Sequence, residues 1–129
     1  MAVNTKAFLS ALTDWMNENI LTTYYEKAPS SGAEYPYAVV SGINIIEIEE
    51  SGDLTSFYVD LWGDEKDPGA TEALESLCDT LRSNLVGAVF YVAGQFGAHI
   101  GFDNQNSLLD SEHDLAHRRL SLSARIFYL

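Results

Sequence analysis

His113 and His117 are four residues apart, a spacing that would put both imidazoles on one face of a helix, and Glu112 and Asp114 stand beside His113. With His99 and Asp110 they form the set from which a small metal-dependent hydrolase would have to be built. A catalytic metal needs three protein ligands and an open fourth position. Spacing alone supplies two ligands, and the segment runs directly into a strand-like stretch. A solvated turn or an interface is therefore the favoured reading of these histidines.

The second concentration of chemistry is acidic. Glu47, Glu49, Glu50 and Asp53 cluster around a turn, Glu50-Ser51-Gly52-Asp53, and Glu47 and Glu49 could face the same way. Paired carboxylates act as acid and base when an enclosing cleft separates their pKa values, which a hairpin tip does not provide. Neither this tip nor Asp64-Glu65-Lys66-Asp67 follows the oxygen-ligand pattern of an EF-hand loop. Gly94-Gln95-Phe96-Gly97 lacks the downstream Lys-Ser or Lys-Thr of a phosphate-binding loop. No serine sits in a Gly-x-Ser-x-Gly elbow. The single cysteine, Cys78, has neither a second cysteine nor a nearby histidine, so a partly buried thiol is expected. No catalytic centre, cofactor site or metal site is assembled by these residues.

Charge points the same way. Nineteen acidic residues against seven basic ones give a formal net charge of -12, a field that repels nucleic acid. Arg118, Arg119 and, further on, Arg125 are too few for a nucleic-acid groove. The chain has 129 residues, 47% of them hydrophobic, which suits one domain with a sizeable core. No stretch approaches the roughly 20 apolar residues of a membrane span, and no secretory signal is recognisable, so a chain kept without export and without a membrane partner is expected.

The elements follow from periodicity. Phe8, Leu12, Trp15 and Asn19, widened by Leu9, Met16 and Ile20, predict a helix over about Lys6–Asn19 with Asn4 or Thr5 as its cap. Thr22–Tyr25 suits a short extended segment, and Lys27–Glu34 an exposed loop. Tyr35–Val40, Ile43–Glu49 and Thr55–Trp62 read as three extended segments, the last two forming a hairpin. In the third, Phe57, Val59 and Leu61 alternate with Tyr58, Asp60 and Trp62. Asp67 as cap and Pro68 at the first position open a second helix, which carries Leu74, Leu77, Leu81 and Leu85 on one stripe and ends near Gly87. Val89–Val92 reads as a further strand, Gly94 to Asp110 as a glycine-punctuated stretch running into a polar loop. In the final strand Leu120, Leu122, Ala124, Ile126 and Tyr128 alternate with Ser121, Ser123, Arg125 and Phe127. The expected fold is α+β, a mainly antiparallel sheet of four or five strands with two principal helices packed on one face. Large apolar residues on both faces of the hairpin hint that the outward face is covered by another element or another chain. Tyr24, Tyr35, Tyr37, Tyr58, Trp62 and Phe127 are the candidate contacts, with Arg125 on the same polar side of the last strand.

The order of these pieces resembles the tail-terminator or tail-completion proteins of tailed phages and prophages, also described as minor capsid or head–tail joining proteins. The resemblance covers most of the chain. It rests on the early helix with Thr22-Thr23-Tyr24-Tyr25, on Glu34-Tyr35-Pro36-Tyr37-Ala38-Val39-Val40, on Phe57-Tyr58-Val59-Asp60-Leu61-Trp62-Gly63-Asp64 leading to the helix at Pro68–Leu85, and on His117-Arg118-Arg119-Leu120-Ser121-Leu122-Ser123-Ala124-Arg125-Ile126. It implies an α+β subunit of a closed ring, commonly a hexamer, that caps the tail tube, stops its elongation and offers the head-joining surface, without cofactor or turnover. The implied partners are copies of the chain, the tail tube protein and the head connector protein, with DNA passing through an acidic lumen. The implied location is the virion tail, and the host cytoplasm during assembly. On that resemblance the Glu47, Glu49, Glu50 and Asp53 tip and the Asp64 to Asp67 loop are ring- or partner-facing, and the Lys27–Glu34 loop contacts a neighbouring tail component. A head–tail connector or stopper, a non-viral protein-interaction domain and a small metal-dependent hydrolase are the alternatives.

Overall fold

The computed structural model describes residues 3–49, 52–110 and 115–129. The first helix, α1, spans Thr5–Asn19. Asn4 caps it, its side-chain oxygen accepting the Ala7 N–H at 3.2 Å and so satisfying one of the free donors at the helix start. Phe8, Leu9, Leu12 and Met16 are its buried stripe. The second helix, α2, spans Ala70–Leu85 and buries Leu74, Cys78, Leu81 and Leu85. Its start corrects the expected Asp67–Pro68 cap. Gly69, at φ +85°, is the N-cap and no side chain caps the helix, because Asp64 to Asp67 close a turn of their own: the Asp67 N–H donates to the Asp64 carbonyl at 3.0 Å. The helix ends where expected, Gly87 at φ +82° donating its N–H to the Ile100 carbonyl at 2.8 Å.

Six strands form one sheet: β1 Thr23–Tyr25, β2 Tyr37–Glu49, β3 Gly52–Asp64, β4 Val89–Val92, β5 Phe96–Asp110 and β6 Leu115–Tyr128, in the order β1-β2-β3-β6-β5-β4. The sheet is therefore larger than the expected four or five strands, and it is mixed, since β1 runs parallel to β2 while the other pairings are antiparallel. Two expectations about strand boundaries are corrected. Tyr35–Val40 and Ile43–Glu49 are not separate segments; Tyr37 to Glu49 is one strand with register shifts between Glu47 and Glu49 and between Ser41 and Asn44, where Gly42 adopts φ +66°. A bulge of this kind keeps the ladder while breaking the alternation, so the pattern looked like a break. The polar stretch before Asp110 is not a loop. Phe102 to Asp110 pairs with β6 with one register shift, so backbone hydrogen bonds hold Asn104, Gln105, Asn106 and Ser107 in a strand without an apolar side-chain pattern.

Both helices pack on one face of the sheet. Their buried residues share a core with Phe57, Val59 and Leu61 of β3 and with Leu120, Leu122, Ala124, Ile126 and Tyr128 of β6. The register explains it, because Phe57 opposes Leu122 and Val59 opposes Leu120, and residues two apart on a strand share a face. Phe8 fixes α1 to the sheet through edge-to-face contacts with Phe57, Phe90 and Phe96 at 6.2, 6.3 and 5.9 Å. On α2, Glu75 pairs with Arg118, which points inward from β6. No helix among the described residues is long and apolar enough to cross a membrane.

Gly42 shows how tightly the bulge is built. A Cβ there would fall 2.3 Å from Cδ2 of Tyr58, whereas one at Gly32, also at positive φ, would meet nothing within 4 Å. Gly42→Ala and Gly32→Ala share the left-handed strain. Denaturant unfolding should therefore find Gly42→Ala the less stable by about 1–2 kcal/mol, the cost of displacing the tyrosine ring; equal stabilities would mean that the ring moves aside freely.

Candidate partner-docking face

The face of the sheet away from the helices carries most of the aromatic candidates, and the register arranges them in rows. Tyr37 of β2, Trp62 of β3, His117 of β6 and Leu108 of β5 lie side by side. The next row is Val39, Asp60, Arg119 and Asn106, and the one after it Ser41, Tyr58, Ser121 and Asn104. Tyr35 stacks on Tyr37 with ring centres 5.3 Å apart, and Tyr24 of β1 meets Tyr37 edge-on at 5.7 Å. Trp62 lies flat on His117, with centres 3.8 Å apart and 16° between the planes.

One carboxylate ties the rows together. Asp60 is buried on this outer face, and its Oδ1 lies 2.8 Å from His117 Nε2 and 2.8 Å from Arg119 Nε, while Oδ2 accepts from Arg119 Nη2 at 3.3 Å. Burial pushes the Asp60 carboxyl up, but the hydrogen bonds from His117 and Arg119, with the charge of Arg119, outweigh it and hold the group below its ordinary value. An ionised carboxylate only accepts, so the arrangement calls for the proton on Nε2 of His117. Arg119 then lies over Tyr58, its guanidinium carbon 4.2 Å from the ring centre. The result is a patch of stacked rings around a hydrogen-bonded ion cluster.

The remaining candidates are spread over the molecule. The Glu47 tip and the Asp64–Asp67 loop lie at opposite ends of β3. Glu47 is exposed, but Asp53, expected with it on an exposed tip, is buried and accepts from the Tyr128 hydroxyl at 2.6 Å. Glu49 is the last residue of β2, and Glu50 lies outside the described residues. Asp64 is half-buried and accepts the Lys66 N–H, while Asp67 is exposed in the turn. Arg125 and Phe127 are exposed on the outer face near the Gly52 end of β6, a strand's length from the Trp62 row.

Of the two histidines of the expected set that lie among the described residues, His117 is drawn into a cluster. His113, Glu112 and Asp114 lie outside the described residues, and His99 is exposed on β5 opposite Arg125. Among the described residues no three metal-binding side chains come together. Burial, then the carboxylate of Glu75, pushes the Cys78 thiol up to about 11 against the opposing charge of Arg118, with Asp79 adding least, which leaves little thiolate at neutral pH. A groove of about 630 Å³ lies elsewhere, between α1 and the β1–β2 edge, and is lined by Leu9, Tyr25, Ile43 and Ile45 with Lys6 and Asp14 at its polar side.

Sequence reasoning missed Asp60 and Arg119 as a unit. Alternation placed Asp60 beside Tyr58 and Trp62, but the pairing with Arg119 exists only through the β3–β6 register. The apolar residues expected on both faces of the hairpin include an exposed run on β2 that was not among the candidate contacts, Ile45, Ile46 and Ile48 being 46%, 51% and 41% exposed.

No protein-family model matches the chain, and no curated protein matches it significantly. Among solved structures, a chain of the virion of a native gene transfer agent particle has a similar fold, with a TM-score of 0.65 and 14% sequence identity over 91% of this chain and 85% of that one.

Asp60 links its geometry to pH. A carboxyl whose folded-state pKa is depressed contributes stability above its unfolded value near 3.8, and that contribution fades as pH falls through the folded value. Asp60→Asn should therefore cost about 2–4 kcal/mol near pH 7, because it leaves Arg119 and His117 facing a neutral amide. The gap to the wild type should narrow below about pH 4. A gap that stays constant from pH 7 to pH 2.5 would show that the Asp60 charge is not what holds the patch.

Proposed function

We propose that the chain is a structural subunit of a phage-like particle, acting in the tail as a ring that caps the tube, stops its elongation and presents the surface to which the head joins. The observation that carries this reading is the fold shared over nearly the whole length of both chains with a component of a gene transfer agent virion. The order of elements that resembles tail-terminator proteins adds the tail position, and the chain's chemistry adds a mode of action. A face of stacked aromatic rings whose buried Asp60 carboxylate is hydrogen-bonded to His117 and Arg119 is suited to holding protein surfaces together, since rigid aromatic anchors lose little entropy on docking. A net charge of -12 lets DNA pass a lumen without adhering to it.

In this reading the ring closes because one surface of each copy docks on a different surface of the next, through a rotation that returns to its start. The partners beyond the ring are the tail tube protein on one side and the head connector protein on the other. Inactivating the gene in its particle-producing background tests the role by electron microscopy. Loss of a terminator should give tails of uncontrolled length and heads without tails. Tails of normal length on heads that have lost their DNA would instead favour a connector or stopper position at the same junction, and fully normal, joined particles would exclude a part in assembly.

A further inference from the structure

The sheet leaves two lengths of backbone edge with no strand beside them among the described residues. β1 pairs with β2 only at Ala38–Val40, so β2 is open from Ser41 to Glu49. β4 pairs with β5 only from Phe96 to His99, and after Ile100, whose N–H donates to the Ala88 carbonyl, β5 is open from Gly101 to Asp110. The open lengths are nine and ten residues. Neither contains the lysine or proline with which solitary sheets commonly block an edge, although bulges interrupt both, at Ser41–Asn44 and Glu47–Glu49 of β2 and at Phe102–Asn104 of β5.

We infer that these two edges are the two halves of one interface, in which β5 of a second copy of this chain pairs antiparallel with β2 of the first. Direction is the first argument. β2, β3, β6 and β5 alternate in direction across the sheet, so β5 runs opposite to β2, and a second copy in the same orientation presents β5 already antiparallel to β2. Because the edges lie on opposite sides of one sheet, the contact is head-to-tail.

The second argument is chemical complementarity. β2 carries the exposed Glu47 beside exposed isoleucines, so pairing with its own copy would bring like charge to like charge. β5 offers Asn104, Gln105, Asn106 and Ser107, four donors in succession. For the helix side of one copy to continue the helix side of the next, Ile45 and Glu47 must face Gln105 and Ser107, which share that side. Glu47 then accepts from an amide or hydroxyl, and the incoming strand covers the groove at Ile43 and Ile45.

The third argument is register. Within one copy Ser41 is level with Asn104, so matching the open lengths shifts the neighbour by about six residues, or ~20 Å, along the strand. β1 of one copy and β4 of the other would stop the slide at either end. A shift per copy in a closed sheet means strands inclined to the ring axis, as in a barrel.

The inference rests on the proposed ring, and cross-linking separates the two. In a Cys78→Ala background, Ile45→Cys and Ser107→Cys are made as separate proteins, checked for unchanged melting, and treated with a short bismaleimide alone and mixed. Native mass measurement of the untreated wild type runs alongside. Cross-linked dimers in the mixture and in neither protein alone are expected. Ile45→Lys should weaken self-association at least tenfold. Cross-links in the Ile45→Cys protein alone would establish a two-fold contact and overturn the inference. Oligomers without cross-links in the mixture overturn the pairing but leave the ring standing. A wild type that stays monomeric to the highest soluble concentration overturns the pairing, while the particle experiment still decides the function.

Discussion

The molecule depends on the antiparallel pairing of β3 with β6. All 13 residues of β3, Gly52 to Asp64, have partners on β6, in an unbroken register from Phe127 to Leu115. That register assigns both faces of the sheet at once. Phe57, Val59 and Leu61 meet Leu122, Leu120 and Arg118 under the helices, while Tyr58, Asp60 and Trp62 meet Ser121, Arg119 and His117 on the other side. A slip of one residue would carry every one of these side chains to the wrong face, so the core and the outer patch are specified together.

The inward polar groups show how the pairing tolerates charge. Arg118 stands among the apolar residues of β6 and is answered by Glu75 from α2 and by the His117 carbonyl. Asp53 is answered by the Tyr128 hydroxyl, which also contacts Thr5 Oγ1 at 3.0 Å. Burial, then the bond to Asp53, pushes the Tyr128 phenol above its ordinary value despite the opposing effect of Thr5. It therefore stays a neutral donor. These bonds tie α2 and the start of α1 to the sheet where hydrophobic contact alone would leave their positions loosely specified.

The sequence made the apolar skeleton legible because its signals are local. Phe8 to Met16 and Leu74 to Leu85 repeat at helical spacing, and the alternation in Thr55–Trp62 and Leu120–Tyr128 sorts inward from outward residues correctly. What escaped was set by non-local pairing. The Gly42 bulge disguised one strand as two, and Asn104 to Ser107 looked like a loop because only the β6 backbone shows them to be a strand. The same limit hid the candidate patch. Trp62, Tyr37 and Tyr58 were recognisable as aromatic residues on an outward face, but Asp60, His117 and Arg119 become a cluster only when β3 and β6 are set side by side. The Asp67–Pro68 cap failed for a different reason: Asp64 and Asp67 had a competing local turn to make.

The outer face and the edges differ in how far they are already ordered, and the difference bears on specificity. Trp62 on His117 and Arg119 between Asp60 and Tyr58 already have partners within the chain, so docking there would cost little side-chain entropy. The open lengths of β2 and β5 offer backbone donors and acceptors that any extended chain could use, and backbone pairing by itself selects no partner. Selection must come from the side chains that flank those edges and from the charge of the whole molecule. With -12 on each copy, random encounters are opposed by long-range repulsion that salt would screen. Only a contact that places acceptors against donors along the paired edges, in one register, gathers enough short-range attraction to overcome it. High net charge and unpaired edges are thus compatible in one small domain: the first suppresses indiscriminate strand pairing, and the second leaves a specific pairing available.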